Sequence, residues 1–314
     1  MNILFIDTTH PVLIELLQSK GCICDVRSNL SKSEIEVILP NYQGVVIRSR
    51  FKLDRAFIEK GKSLKFIARP GAGLENIDLN FAASKGIVCL RSPEGNRDAV
   101  AEHCLAMLLA LFNNLIKADA EVRQGIWKRH ENWGTELKGK TVGILGYGYM
   151  GAAFAMRLSG FGVKVLTYDK YKTNYIKSSD YIAEVSMDRL FDECDVLSLH
   201  LPLTEETNQL FTSSFINQFK KNFYLINSAR GGIVNLNDLA EAIAVGKVLG
   251  ACLDVFEFEE SNFEDVSGNN SKGMDYLKQS NKVLLSPHIA GWTHESNEKI
   301  ARVLAEKIIA QFAL

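Results

Sequence analysis

The stretch TVGILGYGYMG, residues 141–151, sets a β-branched run against three glycines spaced G-x-G-x-x-G. Residues 141–145 read as a strand, and the chain from Tyr149 to about 160 reads as a helix. In that setting each glycine has its own task. Gly146 makes the tight turn, Gly148 lets a pyrophosphate come up against the backbone, and Gly151 lets helix and strand pack closely. Tyr149 and Met150 open the helix, whose first amides turn partial positive charge toward bound phosphates. The next strand, VKVLTYD (163–169), ends in Asp169, 18 residues beyond Gly151. A carboxylate there accepts hydrogen bonds from an adenosine ribose and repels a 2′-phosphate. Lys170 and Lys172 lie close by and leave a small opening for NADP, but the cofactor expected is NAD.

Working outward, short β-branched runs alternate with helical patterns on both sides of this unit. NILFI (2–6), GVVIR (44–48), LKFIA (64–68) and GIVCL (86–90) precede it, and an apolar-periodic stretch at 11–20 ends at Gly21. DVLSLH (195–200), NFYLINS (222–228), VLGACLDVF (248–256) and KVLLS (282–286) follow, and a helix at about 293–312 ends the chain. This βαβα rhythm implies parallel sheets with crossover helices. A long segment from Asp98 to about Gln124 interrupts it. That segment is apolar nearly all round, is expected to begin on a capping Asp and to stop at Gly125, and so should be buried on more than one side. The polar stretch 257–281 reads as a surface loop with at most a short helical turn. GTELKGKT (134–141) matches a P-loop string, but it leads into a strand instead of leaving one for a helix, so it is rejected.

Composition excludes several classes. The 314 residues carry 36 Lys+Arg against 37 Asp+Glu, a net charge of −1, which argues against a nucleic-acid partner. No run approaches the roughly 18 apolar residues of a membrane span, and MNILFIDTTH lacks the basic start of a secretory signal. The six cysteines (Cys22, Cys24, Cys89, Cys104, Cys194, Cys252) form no CxxC pair and read as reduced thiols of a cytoplasmic protein. His288 and His294 are six apart, and no nearby Cys or carboxylate completes a metal-ligand pattern with them, so no metal is expected.

Open α/β sheets bind ligands beyond the carboxyl ends of their strands. On that rim fall Arg230 after NFYLINS, the carboxylates Glu257, Glu259 and Glu260 after GACLDVF, and His288 after KVLLS. Such a set suits hydride transfer to a 2-keto acid. A guanidinium holds the substrate carboxylate in a planar fork. An imidazole moves a proton to and from the substrate oxygen, and a carboxylate on its other nitrogen orients it and favours its charged form.

Seven motifs in order extend these observations over nearly the whole chain: RPGAGLENIDL (69–79), KGIVCLRSPEGNRDAVAEH (85–103), GKTVGILGYGYMG (139–151), HLPLTEET (200–207), NSARGGIV (227–234), LDVFEFEE (253–260) and SPHIAGWT (286–293). On these the sequence resembles the D-isomer-specific 2-hydroxyacid dehydrogenases, and among them most closely the D-3-phosphoglycerate dehydrogenase branch. The resemblance implies two Rossmann-like, doubly wound parallel-sheet α/β domains. A discontinuous substrate domain would comprise 1–98 and 287–314, with an NAD-binding domain over 99–286 and a cleft between the two for NAD and substrate. It implies that Arg230 and His288 are catalytic, and it selects Glu259, five residues after Asp254, over Glu257 and Glu260. Asp254 would contact the nicotinamide amide; His200, Pro202, Thr207, Ser228 and Ala229 would line the cofactor. The backbone of Gly71, Ala72 and Gly73 would receive the substrate carboxylate, and Arg48 and Arg69 would lie near an anionic substrate.

The substrate implied is 3-phospho-D-glycerate, oxidised to 3-phosphohydroxypyruvate as the first step of serine synthesis. Arg48, Arg69, Arg91 and Arg97 supply loop cations suited to it. The alternative is glyoxylate, hydroxypyruvate or another unphosphorylated acid, and a third reading is an NAD-sensing binding protein. The long helix from Asp98 would act as hinge and as part of a homodimer interface. Three departures from the family pattern stand out: Pro70 before Gly71, Ser261 after the paired glutamates, and a 29-residue gap from Glu259 to His288. No regulatory domain is expected after residue 314.

Overall fold

The computed structural model describes residues 1–259 and 271–314; Glu260 and Ser261 lie outside the described residues. Two compact units divide the chain, one of 1–97 with 292–314 and the other of 98–259 with 271–291. In the first unit, strands β1 (Asn2–Phe5), β2 (Ile23–Val26), β3 (Gly44–Val46), β4 (Phe66–Arg69) and β5 (Val88–Arg91) form one parallel sheet in the order β2-β1-β3-β4-β5. Strand residues alternate faces, and both faces are covered. Leu4, Val45 and Ile67 pack with Ile35, Leu39 and Phe57 on one side. Ile3, Phe5, Val46, Phe66 and Ala68 pack with Leu13, Leu17 and the terminal helix His294–Phe312 on the other.

In the second unit, β6 (Thr141–Leu145), β7 (Lys164–Tyr168), β8 (Ile182–Glu184), β9 (Val196–Leu199), β10 (Phe223–Asn227), β11 (Val248–Leu253) and β12 (Val283–Leu285) form a parallel sheet ordered β12-β11-β10-β9-β6-β7-β8. The order reverses direction between β6 and β9, the switch point at which ligands enter open α/β sheets. Both units are α/β with parallel sheets, as the alternating pattern implied, and both are doubly wound, as the resemblance implied. GTELKGKT runs through a turn at Gly139 into β6, which agrees with its rejection as a P-loop. The edge strands β2 and β8 were not anticipated: ICDV and IAE are short and are not continuously buried.

Two expectations are corrected. The segment 98–124 is not one helix but two, Arg97–Phe112 and Leu115–Arg123, bent by 61°. The break falls at Asn113 and Asn114. Asn113 Nδ2 donates to the Leu109 carbonyl (2.9 Å), Asn114 Nδ2 donates to that of Trp133 (3.0 Å), and Asn114 turns left-handed at φ 51°. Asparagine tolerates that conformation, and its amide competes with helical bonding. Asp98 lies in the first turn and pairs with Arg157 (2.9 Å) instead of capping. Only the first helix is buried on several sides; the second buries no residue.

Within 257–281, residues Lys272–Gln279 form a full helix capped by Ser271, where at most a turn was expected. Its Met274 and Leu277 supply an apolar edge, and it lies so close to the helix Leu236–Ala244 that a Cβ on Gly273 would meet Leu236 O at 2.5 Å. Residues 287–291 stay with the second unit because Asp254 holds them through its backbone carbonyl and both carboxylate oxygens.

Candidate active site

The three positions of the glycine turn differ in backbone and surroundings. Gly146 adopts φ +94°, and a Cβ there would meet the His200 carbonyl oxygen at 2.6 Å. A Cβ on Gly151 would lie 2.1 Å from the Gly146 carbonyl oxygen, so only glycine lets the helix Tyr149–Arg157 start this close to β6. A Cβ built on Gly148 would meet no atom of the described residues within 4 Å, which leaves room over the helix N-terminus. Tyr149 is exposed at that terminus, and Met150 packs against the core beneath it. Asp169 is fixed at the end of β7: one carboxylate oxygen accepts from Tyr147 N (2.9 Å), the other from Tyr171 N (3.0 Å). The nearby lysines are otherwise engaged. Lys170 pairs with Glu206, and Lys172 donates to the Tyr147 carbonyl (2.7 Å).

After β9 the chain passes through His200 and Pro202 into a tight loop closed by Thr207. That hydroxyl donates to the Pro202 carbonyl (2.6 Å) and accepts from Thr204 N (2.8 Å), so it shapes the loop. His200 lies against Phe154, its Nε2 is 2.8 Å from Ser198 Oγ, and burial pushes its pKa down to about 4. The folded value lies below the unfolded 6.5, so His200 favours the fold only as the neutral ring. That contribution is fully present above about pH 6.5 and is lost as pH falls toward 4, by up to about 3 kcal/mol. Urea unfolding at pH 7 and at pH 4.5 is expected to show a smaller drop in His200→Gln than in the wild type; equal drops would remove His200 as the cause.

Beyond β10, Asn227 organises the turn that carries Arg230. Its Oδ1 accepts from Ala229 N (3.1 Å), and its Nδ2 donates to the Arg230 carbonyl (3.1 Å). Ser228 Oγ lies 3.0 Å from Cys104 Sγ. The Arg230 guanidinium donates to the Ala229 carbonyl (2.6 Å). Gly231 is required here, because a Cβ would lie 1.7 Å from the Phe256 carbonyl oxygen.

Glu259 and His288, 29 residues apart, meet at 2.7 Å between Oε2 and Nδ1. The other glutamate oxygen accepts from Phe256 N (2.6 Å), which fixes the carboxylate. An ionised carboxylate only accepts, so the proton of this contact sits on Nδ1, and Nε2 is the ring nitrogen that Glu259 does not engage. Glu257, the neighbour rejected by the motif, is committed to Gln209 Nε2 (2.8 Å) and Leu236 N (3.2 Å).

His288 has φ +55°, an unusual left-handed conformation for a residue with a side chain. Asp254, 1% exposed, holds it there. Its carbonyl accepts from His288 N (2.8 Å), and its carboxylate accepts from Ser286 Oγ (2.5 Å), Ile289 N (2.9 Å) and Ala290 N (2.8 Å). His103, on the helix Arg97–Phe112, brings Nε2 to 3.0 Å from Ser286 Oγ and 3.6 Å from the Asp254 carboxylate.

The residues expected near the substrate lie at the carboxyl rim of the first unit's sheet. Asp7 Oδ2 accepts from the amides of Arg48, Ser49 and Arg50 (2.7, 3.2 and 3.3 Å). Arg69 is buried at the end of β4. Its Nε donates to the Arg48 carbonyl and its Nη1 to that of Gly73, both at 2.7 Å. Gly71 takes φ +150°, which side chains rarely adopt, and exchanges hydrogen bonds with Ser92; Ala72 O accepts from Arg91 (2.8 Å). Sequence reasoning missed Asp7, Asn76, His103, Ser286 and Trp292. The motifs RPGAGLENIDL and SPHIAGWT contain three of these, but their roles depend on contacts across the fold.

The profile of the D-isomer specific 2-hydroxyacid dehydrogenase NAD binding domain matches residues 105–290. The D-3-phosphoglycerate dehydrogenase of Archaeoglobus fulgidus is 34% identical over 309 residues, covering 98% of this chain and 57% of that protein. The chain thus spans about half the length of the first curated relatives it matches. The hydroxypyruvate reductase of Thermotoga maritima is 35% identical over 300 residues, 96% of this chain and 94% of that protein. Among solved structures, the D-lactate dehydrogenase of Aquifex aeolicus, complexed with NAD and lactic acid, has a TM-score of 0.82 at 29% identity over 100% of this chain and 96% of that one. By profile, sequence and fold alike, this chain belongs to the D-isomer specific 2-hydroxyacid dehydrogenases.

Proposed function

We propose that the protein is an NAD-dependent dehydrogenase that oxidises 3-phospho-D-glycerate to 3-phosphohydroxypyruvate, the entry to serine synthesis, and runs the reverse reduction. The observation that carries the chemistry is the 2.7 Å contact of His288 Nδ1 with Glu259. When bound, NAD supplies the hydride acceptor. His288 Nε2 takes the hydroxyl proton during oxidation and returns one to the carbonyl oxygen during reduction. Glu259 keeps the ring oriented and stabilises the imidazolium while it holds that proton. Arg230 grips the substrate carboxylate and polarises the carbonyl carbon toward hydride. The room over Gly148, the helix terminus at Tyr149 and the fixed Asp169 carboxylate support NAD as cofactor.

Arg48, with Gly71, Ala72 and Gly73, is assigned to substrate. Arg69 is assigned to holding the Arg48 and Gly73 backbone, since its guanidinium is directed at their carbonyls. A homodimer is part of the proposal, supported by exposed Leu115, Ile116 and Val122 with Trp127 and Trp133 just after them. A cytoplasmic setting is supported by six free thiols; burial pushes Cys104 and Cys194 up to about 12. The second reading, an unphosphorylated substrate, is favoured by the near full-length match to a hydroxypyruvate reductase. An NAD-sensing role is disfavoured by the intact proton-transfer pair.

The test is NADH consumption on 3-phosphohydroxypyruvate, hydroxypyruvate, glyoxylate and pyruvate in parallel, with wild type and Arg48→Ala. The phosphorylated acid is expected to be preferred. Loss of a charge-assisted contact is expected to raise its KM by about 10- to 100-fold, with a much smaller change on glyoxylate. Equal losses on both would reject the phosphate reading, and cofactor binding without turnover on any keto acid would revive the sensor.

A further inference from the structure

Within the first unit, the Trp292 ring faces the Arg48 guanidinium at 5.2 Å while remaining 69% exposed. The backbone beside each partner is fixed independently of the other. The Arg48 amide donates to Asp7, and its carbonyl accepts from Arg69 Nε (2.7 Å) and Asn76 Nδ2 (3.2 Å). Trp292 immediately precedes Thr293, which caps the helix His294–Phe312 in a reciprocal box with Ser296. That helix is locked to the sheet by Ala301, Leu304, Ala305 and Ile308 against Ile3, Phe5 and Phe66. The backbone positions from which ring and guanidinium meet therefore follow from how the sheet and helix pack.

A ring over one face of a guanidinium strips water from that face and leaves the N–H edge directed outward in a plane. It also restricts a long side chain that otherwise loses rotamer freedom when it binds. The edge so presented matches the oxygens of a phosphate or carboxylate. We propose that Trp292 is a specificity-determining residue: it holds Arg48 as a fixed receptor for a second anionic group on the keto acid. The inference rests on the reading, made above, that Arg48 faces substrate, and it deepens that reading by naming the residue that sets the preference.

The test compares 3-phosphohydroxypyruvate with hydroxypyruvate, which differ only in the phosphate. Trp292→Ala is expected to lose about tenfold more kcat/KM on the phosphorylated acid than on the other, through KM and not kcat. Trp292→Phe keeps a ring face and is expected to recover most of the difference. Equal losses on both substrates, a loss confined to kcat, or a Phe variant as impaired as Ala would overturn the proposal. If the wild type shows no preference for the phosphorylated acid, the phosphoglycerate reading fails on its own. The pair is then judged by tryptophan fluorescence during titration with 3-phosphoglycerate in the absence of cofactor. A change seen in the wild type and absent in both Trp292→Phe and Arg48→Ala upholds the receptor, and no change in the wild type overturns it.

Discussion

His288→Gln is expected to lose about 10²- to 10⁴-fold in kcat, the range for removing a positioned proton donor, while binding NADH as the wild type does. The reason is in the division of labour at the ring. Nδ1 is committed to Glu259, whose second oxygen is committed to Phe256 N, so the proposed proton exchange rests on Nε2. Glutamine can fill the space and keep one hydrogen bond, but it cannot cycle a proton near neutral pH. The glycine turn is far along the chain and is untouched by the change, so NADH fluorescence titration should give the same Kd. Turnover within tenfold of the wild type would take His288 out of the proton path.

The second large effect is a contrast between two glycines three residues apart. Gly148→Ala is expected to fold normally, because its φ of −82° suits alanine and nothing lies within 4 Å of the new methyl. It should nevertheless weaken NAD binding at least tenfold, since that methyl occupies the approach of the pyrophosphate. Gly151→Ala is expected to do the reverse in order of cause. Its Cβ would sit 2.1 Å from a backbone carbonyl, which cannot swing aside as a side chain would. Overpacking of this kind costs about 1–3 kcal/mol, read as a lower urea midpoint before any cofactor is added. A stable Gly151→Ala protein, or a Gly148→Ala protein with undiminished NAD affinity, would show that the turn does not work as described.

What the sequence disclosed follows from where each residue sits. The central strands β3, β4, β6, β9 and β10 are buried on both faces, so they read as unbroken apolar runs. β2 and β8 lie at sheet edges, and their mixed residues carry no such signal. The pair of asparagines at 113 and 114 could have been read as a helix break, but the apolar residues on both sides hid it. At the site, the rim positions of Arg230 and His288 were visible from strand ends alone. Choosing Glu259 among three glutamates needed the family motif; among the described residues, Glu257 is held by Gln209 and Leu236, and Glu259 pairs with His288. Trp292 beside Arg48 could not have been read at all, since the two are 244 residues apart and meet only when the last helix packs on the first sheet.

The left-handed backbone at His288 has a consequence for how this protein can change. A side chain in that conformation costs roughly 1–2 kcal/mol relative to a residue without one, and here it is sustained by the hydrogen bonds that Asp254 supplies. Glycine or asparagine at 288 would relieve that backbone cost but would also remove the ring that pairs with Glu259. On the role proposed for His288, backbone ease and turnover therefore pull in opposite directions at this one position.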